Sequence, residues 1–313
     1  MDGRGMTGIR WGLCCQFVDE PIRFRQATHR HVSTLGHTAR VEYLGSIARA
    51  NAIALAHAIE RCAELGFGAF RITSQIIPLA THPVSGYTLD TLADGEVIAA
   101  SFASAGLVAR QRGIRLSFHP DQFVVLNSER EAVIESSVRE LDFQARMAVL
   151  IGAEALTLHA GGATGGVSAA LERLERGLDR LSPAARALVA LENDDRLFTV
   201  RDLLPLCHRA RVPLVYDVHH HRCHPDGMSV VEATAEAGET WGTREPWVHV
   251  ASPRDGWTAP NPRPHADYID PADFPEEWFS RRLTVDVEAK AKDRAVLAIR
   301  DAVEGPRALH AVE

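Results

Sequence analysis

Six short apolar segments of this chain end at, or carry, side chains of types that commonly bind metal ions. A seventh segment, "GAFRITSQ", carries Arg71 and Gln75. A (β/α)8 barrel gathers residues from the C-terminal ends of separate strands around one point, so the pattern predicts such a barrel with a polynuclear metal site at its mouth. The strand-end residues are His119, His159, Glu192, Asp217, His220, His249 and Glu288.

Helical segments, with apolar residues at three- and four-residue spacing, lie between the strand candidates. Counting "IRWGLCC" at 9–15 as the first strand, strands and helices alternate strictly, which predicts parallel strands with crossover helices. An open doubly wound sheet is the alternative, but such sheets bind ligands at one switch point rather than at seven consecutive strands. We therefore predict an α/β fold, a (β/α)8 TIM barrel with outer helices, as a single domain over residues 1–313 with its core at about 9–303.

The composition is that of an ordinary globular protein, with 46% hydrophobic and 24% charged residues. No apolar run approaches the length of a membrane span, and the first residues lack the apolar region of a secretory signal. The five cysteines are odd in number and show no CxxC spacing, which argues against a disulfide framework or a zinc ribbon. We therefore expect a cytoplasmic protein with no membrane partner.

The net charge of −7 leaves a nucleic-acid substrate open. Nucleic-acid-binding proteins usually carry a basic face, which this balance does not indicate. Two or three divalent ions would, however, add about +4 to +6 where a phosphate must lie, and the local field matters more than the total charge.

Three of the strand-end residues are carboxylates, namely Glu192, Asp217 and Glu288. If they approach within about 5 Å, each pair repels by roughly 3 kcal/mol at an effective dielectric near 20. Divalent cations would turn this repulsion into attraction, and histidines would complete a donor set suited to Mn²⁺, Zn²⁺, Fe²⁺ or Co²⁺. The alternative is that each residue is structural, for example a helix cap or a hydrogen-bonded loop histidine. His219 and His221 are expected to be donors that fix the tautomer of a ligand, or simply loop residues.

A site of this kind has two typical activities. It can cleave a phosphodiester, with metals about 3.5–4 Å apart that activate water and bind the leaving oxygen. It can also stabilise an enediolate or carry a hydride shift in a sugar isomerase. No G-x-S-x-G motif offers a competing nucleophile, and no G-x-G-x-x-G or P-loop lysine indicates a nucleotide cofactor.

Several motifs follow one another between about residues 9 and 300: "GLCCQF", "FRITSQIIPL", "SFHPDQFVVLNS", "LHAGG", "LENDDR", "VYDVHHH", "HADYI" and "VEAK". In these motifs the chain closely resembles the UV damage endonuclease family. The resemblance implies a TIM barrel related to endonuclease IV that repairs damaged double-stranded DNA by nicking it 5′ to UV photoproducts, and often at abasic sites. It also implies two or three divalent ions, commonly Mn²⁺ with Zn²⁺, Mg²⁺ or Co²⁺ as alternatives, and we expect 3′-hydroxyl and 5′-phosphate products.

The resemblance also implies roles for individual residues. Glu192, Asp217 and Glu288 correspond to catalytic carboxylates that bind metal. Some family members carry a modified lysine, which acts as a metal ligand, two residues before the strand-seven histidine. This chain has Trp247 there, so we expect the third ion to be held more weakly or differently. The implied metal ligands are His82, His119, His159, Glu192, Asp217, His220, His249, His265 and Glu288.

Four further residues are implied to contact DNA. Gln122 and Phe123 stand where the family inserts a pair of residues into the helix opposite the lesion. A ring there would replace lost base stacking, which is worth about 1–3 kcal/mol per base. The alternative is that Phe123 packs in the core at the barrel rim. Asn127 and Arg71 are expected to contact the DNA backbone or the lesion.

Two other functions remain open on the residues alone. A xylose-isomerase-like sugar isomerase or epimerase would share the barrel and the metals, but it would need a base lysine, for which Lys290 and Lys292 are the candidates after the last strand. A non-catalytic lesion or metal binder is the third hypothesis.

Overall fold

A computed structural model describes residues 8–310, with side chains described as far as residue 305. Eight parallel strands close into a barrel in chain order, which confirms the predicted TIM barrel. The domain prediction for residues 1–7 and 311–313 lies outside the described residues. The strands are β1 (Ile9–Cys14), β2 (Ala69–Ile72), β3 (Arg115–Phe118), β4 (Ala155–His159), β5 (Val189–Glu192), β6 (Leu214–Asp217), β7 (Trp247–Val250) and β8 (Leu283–Val287).

The helices surround the barrel because apolar residues of each face the strands. Two of the long helices end at the left-handed glycines Gly113 and Gly152. The helices are α1 (His29–Val32), α2 (His37–Glu64), α3 (Gly95–Arg112), α4 (Glu131–Ile151), α5 (Val167–Leu178), α6 (Pro183–Leu188), α7 (Val200–Ala210), α8 (Val218–Cys223), α9 (Val230–Glu239) and α10 (Asp293–His310).

Strand register brings the predicted site residues together. His159 lies beside Glu192 in the β4–β5 pair, and Asp217 lies beside His249 in the β6–β7 pair. The strands are buried on both faces, as is usual for parallel strands covered by helices. The ends of four consecutive strands therefore present ligand-type side chains at one level of the barrel.

Trp247 belongs to the filling of the barrel interior. Its buried side chain forms a second hydrophobic cluster with small residues of other strands, among them Ala69, Ala155 and Ala190. The guanidinium carbon of Arg115 lies 3.9 Å from the centroid of the Trp247 ring, a cation–π contact. Position 247 is thus occupied by a packed indole in the barrel interior.

Two long loops follow β2 and β7, at the C-terminal end of the barrel. They contain short 3₁₀ helices at Leu89–Thr91, Pro271–Asp273 and Glu276–Ser280. Within residues 8–310, no helix combines the length and the apolar character that crossing a bilayer requires.

Candidate metal centre

Glu192 lies at the centre of the cluster at the barrel mouth. It ends β5 and its side chain is fully buried. Among the residues that the structure describes, three groups have ligand atoms within 4.8 Å of one another, and Glu192 belongs to all three. One carboxylate common to three groups is the arrangement expected of a bridging ligand in a polynuclear site. The groups are His119–His159–Glu192, Glu192–His249–Glu288 and Glu192–Asp217–His220.

His119 and His159 approach one side of Glu192. Nε2 of His119 lies 2.9 Å from Glu192 Oε2, and Nε2 of His159 lies 3.7 Å from the same oxygen. Nδ1 of His119 donates to the carbonyl oxygen of Pro120 at 3.0 Å. Because that carbonyl can only accept, it fixes the proton on Nδ1 and leaves Nε2 available to bind a metal.

Asp217 and His220 are positioned by the short helix α8. The Asp217 side chain caps α8 by accepting a hydrogen bond from the His220 backbone N–H at 2.7 Å. The other carboxylate oxygen, Oδ2, lies 3.6 Å from His220 Nδ1. One helical turn beyond the strand therefore brings the side chains of Asp217 and His220 to the same point.

His249, Glu288 and His265 form the remaining side of the cluster. Nδ1 of His249 lies 2.9 Å from Glu192 Oε1 and 3.4 Å from Glu288 Oε1. His265 comes from the loop after β7, and its Nδ1 lies 3.6 Å from Glu288 Oε2. The structure thus gathers eight of the nine predicted ligands around one point.

Electrostatic coupling within the cluster shifts the pKa of its members. Burial would lower the pKa of His220, but Asp217 raises it to about 9. Burial would also lower the pKa of His249, but Glu192 raises it to about 9. Burial would raise the pKa of Glu192, yet His249 holds it well below its usual range. In the metal-free protein, protonated imidazoles therefore balance the buried carboxylates.

The residues present fit a divalent metal centre. Oδ2 of Asp217 is buried at the cluster and has no hydrogen-bond partner within the described part of the chain. A buried carboxylate oxygen without a donor is costly, and a bound cation would satisfy it. The mixed carboxylate–imidazole donor set suits Mn²⁺, Zn²⁺, Fe²⁺ or Co²⁺.

We expect metal binding to release protons and to tighten as the pH rises from neutrality towards about 9. The pKa of His220 and of His249 is raised to about 9, so both rings are protonated at neutral pH and must lose that proton to bind a metal. Above that pH no such proton remains and the affinity levels off. Calorimetric titration with Mn²⁺ in buffers of different ionisation enthalpy counts the protons, and binding at pH 7 without proton release would contradict this expectation.

His82 stands apart from this cluster. It lies on the loop after β2, where its ring stacks on His29 with centroids 4.3 Å apart. Its Nδ1 accepts hydrogen bonds from the backbone N–H groups of Val84 and Ser85, each at 3.1 Å. The structure includes His82 in none of the three ligand groups of the described residues, so its role as a ligand stays a prediction.

Gln122 and Phe123 occupy the tip of the loop after β3. Asp121 shapes the tip, since its side chain accepts from the Phe123 N–H at 3.0 Å and its carbonyl accepts from the Val124 N–H at 2.8 Å. Both residues are exposed, and Phe123 is 78% exposed. The alternative in which Phe123 packs in the core is therefore wrong, while its contact with DNA stays a prediction.

Asn127 and Arg71 have partners within the protein. The buried Asn127 amide donates to the carbonyl oxygen of Gly162 at 2.6 Å and so joins the loops after β3 and β4. Arg71 is also buried and donates to Glu288 Oε1 at 2.6 Å. Their predicted DNA contacts remain predictions, and their observed role is to hold the loops and a ligand in place.

His219 and His221 form hydrogen bonds within the protein and belong to none of the three ligand groups of the described residues. His219 Nε2 donates to the carbonyl oxygen of Arg263 at 3.0 Å. His221 lies between the Tyr216 hydroxyl, at 2.7 Å, and Asp226, at 3.2 Å. These contacts fix the segment that carries His220.

Two polar residues beside the cluster were not predicted from the sequence, Asn193 and Asp286. Asn193 accepts from the Asp217 N–H and donates to the Asp217 carbonyl oxygen, both at 2.9 Å, which ties the end of β5 to that of β6. Asp286 is buried next to His249. The segment "LTVDVE" could have indicated Asp286. Residues two apart in a strand point to the same face, so Asp286 lies on the same face as Glu288.

Comparison with known sequences assigns the family. The sequence-family model described as UV-endonuclease UvdE matches residues 9–312 of this chain. A UV DNA damage endonuclease from Deinococcus radiodurans is 34% identical over 304 residues, which cover 92% of this chain and 94% of that protein. A UV-damage endonuclease from Neurospora crassa is 31% identical over 91% of this chain, and the chain spans 45% of the length of that relative.

Solved structures agree in fold. The crystal structure of SacUVDE matches with a TM-score of 0.84 and 24% identity, covering 96% of this chain and 99% of that one. Endonuclease IV from Thermus thermophilus matches with a TM-score of 0.61 and 16% identity, covering 95% of this chain and 99% of that one. At these identities the likeness shows the fold, a barrel of the endonuclease IV type.

The family match covers nearly the whole described chain, and the Deinococcus relative covers most of it. These findings decide against the sugar isomerase and the non-enzymatic binder. The chain belongs to the UV-endonuclease UvdE family and is an enzyme of the UV damage endonuclease class.

Proposed function

We propose that this chain is a metal-dependent DNA repair endonuclease that hydrolyses the phosphodiester 5′ to UV photoproducts, and also cleaves at abasic sites, leaving 3′-hydroxyl and 5′-phosphate ends. The observation that carries the proposal is the position of Glu192, a buried carboxylate common to three ligand groups at the open end of the barrel. The names of the relatives supply the substrate class, UV-damaged DNA. The proposal also includes a single domain over residues 1–313 and a cytoplasmic location.

Two or three divalent ions, preferably Mn²⁺, would bind at this centre. When bound, they would polarise the scissile phosphate, neutralise charge that develops on the leaving oxygen and activate water. The proposed ligands are His119, His159, Glu192, Asp217, His220, His249, His265 and Glu288, with His82 as a further candidate.

The protein's own contribution is to hold these ligands rigidly. His119 and His249 contact different oxygens of Glu192, each at 2.9 Å, and this holds the carboxylate at the centre of the cluster before any metal binds. Arg71 neutralises part of the charge of Glu288 and thereby reduces repulsion of the DNA backbone. Preorganised charge of this kind lowers the reorganisation that catalysis requires.

The substrate would approach from the exposed side of the cluster. The side chains of His159 and His265 are 29% and 27% exposed, whereas that of His249 is fully buried, so the first two mark the open side. Phe123 follows His119 by four residues on the same loop. An extruded lesion would leave a gap in the DNA stack, and the exposed Phe123 ring is suited to fill it.

The proposal is tested with an end-labelled duplex that contains one cyclobutane dimer, incubated with the purified chain and Mn²⁺. We expect one cut immediately 5′ to the dimer, and extension of the product by a DNA polymerase would establish the 3′-hydroxyl. An undamaged duplex and a reaction with excess EDTA serve as controls, and an abasic duplex tests the second substrate. Absence of cleavage with Mn²⁺, Mg²⁺, Co²⁺ and Zn²⁺ alike would reject the proposal.

A further inference from the structure

We propose that Asp286 is a positioning residue that holds His249 in the orientation and tautomer in which its Nδ1 binds a metal ion. The inference rests on the metal-dependent function proposed above. Asp286 lies in β8, in register between Gly12 of β1 and His249 of β7. Its side chain is 1% exposed, so its position is set by its neighbours and not by solvent.

The two nitrogens of His249 face different groups. Nδ1 points to Glu192 and Glu288, the members of its ligand group. Nε2 faces Asp286 Oδ2 at 3.8 Å. Neither Nε2 nor this Oδ2 has a hydrogen-bond partner within residues 8–305, and both are buried. A metal-binding imidazole generally donates its other N–H to a carboxylate or carbonyl, and a shift of about 1 Å would complete that bond here.

The surroundings distinguish the two oxygens of Asp286. The Trp247 indole Nε1–H donates to Oδ1 at 3.3 Å. Oδ2, the oxygen that faces His249, lies 3.9 Å from Nε of Arg71. The carboxylate is therefore oriented with Oδ1 towards the indole and Oδ2 towards the imidazole.

Gly12 provides the space for this carboxylate. A Cβ atom at position 12 would lie 2.2 Å from Asp286 Oδ1. Trp247 is itself immobilised by packing in the barrel interior and by Arg115 over its ring. A buried carboxylate with a purely structural role would have both oxygens hydrogen-bonded, whereas Oδ2 of Asp286 has no hydrogen-bond partner among residues 8–305 and faces a metal ligand.

The Asp286→Asn variant tests the inference with little change in shape. Trp247 Nε1–H would hold the amide oxygen, so the amide N–H would face His249 Nε2. This favours the tautomer with its proton on Nδ1, which cannot bind a metal. We expect Mn²⁺ affinity, measured by calorimetry on the full chain without DNA, to fall by about 10–100-fold.

A double-mutant cycle separates this role from a merely structural one. Trp247→Phe removes the N–H that orients the amide, so the Trp247→Phe/Asp286→Asn variant can rotate its amide oxygen towards His249. We expect the double variant to bind Mn²⁺ more tightly than Asp286→Asn alone, although Trp247→Phe alone does not tighten binding. A structural role predicts losses that add.

Glu245→Gln is the matched control. Glu245 is a largely buried carboxylate that accepts from Arg10 and Thr284 at the amino-terminal end of the barrel, and we expect its variant to bind Mn²⁺ as the wild type does. Should Asp286→Asn not fold, Asp286→Ala removes the acceptor without presenting an N–H, with an expected loss of about 10-fold.

The outcomes are distinct. Wild-type protein that binds no Mn²⁺ would reject the proposed function and this inference together. Wild-type protein that binds Mn²⁺, with folded Asp286 variants that bind it equally well, would overturn the inference alone. Additive losses in the cycle would also overturn it. Thermal melting of each metal-free variant establishes that it is folded.

Discussion

Glu192→Gln should reduce nicking of UV-irradiated plasmid by about a thousandfold or more, since a single preorganised electrostatic contact already contributes about 10²–10³ in rate. Glu192 is common to all three ligand groups, so its loss affects every candidate ion. Glutamine preserves the volume, but its amide is a poor metal ligand and its NH₂ group would face His119 or His249 at about the 2.9 Å now occupied by a carboxylate oxygen. Conversion of supercoiled to nicked plasmid with Mn²⁺ measures the rate, and calorimetry of the same protein measures Mn²⁺ binding.

DNA binding by this variant should be largely retained, because the loop tip that carries Gln122 and Phe123 is shaped by hydrogen bonds to Asp121. Fluorescence anisotropy with a duplex that contains one dimer tests this point. Glu245→Gln, which changes a buried carboxylate at the other end of the barrel, should nick plasmid at the wild-type rate. If folded Glu192→Gln protein also nicked at that rate, the catalytic assignment of this carboxylate would be wrong.

The barrel and the convergence of its ligands could be predicted from the sequence for a physical reason. Alternation of strands and helices requires parallel strands, and a closed parallel barrel brings all C-terminal strand ends to one rim whatever their separation in sequence. His159 and Glu192 are 33 positions apart in the chain, yet they are register partners in the structure. His265 could not be predicted in this way, because it lies in a loop and not at a strand end. Only the family resemblance indicated it as a ligand.

The residues that support the ligands could not be predicted in the same way. Asn193 and Asp286 act through tertiary neighbours, so their roles appear only when strand register is known. Arg71 lies on β2 as predicted. Its ion pair with Glu288, which follows the last strand, depends on the closure of the barrel. No sequence periodicity predicts the path of the loop that carries His82. Nor does the sequence predict that Phe123, which lies within an apolar run, is exposed.

Phe123→Ala should weaken the cleavage of dimer-containing duplex by about 5- to 150-fold, which corresponds to the roughly 1–3 kcal/mol that one base–aromatic stack contributes. The ring is 78% exposed at a loop tip, so its removal leaves no cavity and should not lower the melting temperature. The loss should appear in kcat/KM for the damaged duplex, while affinity for undamaged duplex remains unchanged, because a stacking residue acts only where bases have left the helix.

Two variants make this prediction specific to stacking. Phe123→Trp keeps an aromatic face and should retain most of the activity, whereas Leu107→Ala truncates a side chain on α3 that is 53% exposed and should have no effect. Cleavage kinetics on the damaged duplex and binding affinity for the undamaged duplex, measured for all three variants, give the comparison. Equal losses on both duplexes would show that Phe123 contributes only general DNA affinity, and a wild-type rate for Phe123→Ala would remove it from lesion recognition. A loss confined to damaged DNA and restored by tryptophan would instead identify the exposed ring as the element that occupies the gap opposite the lesion.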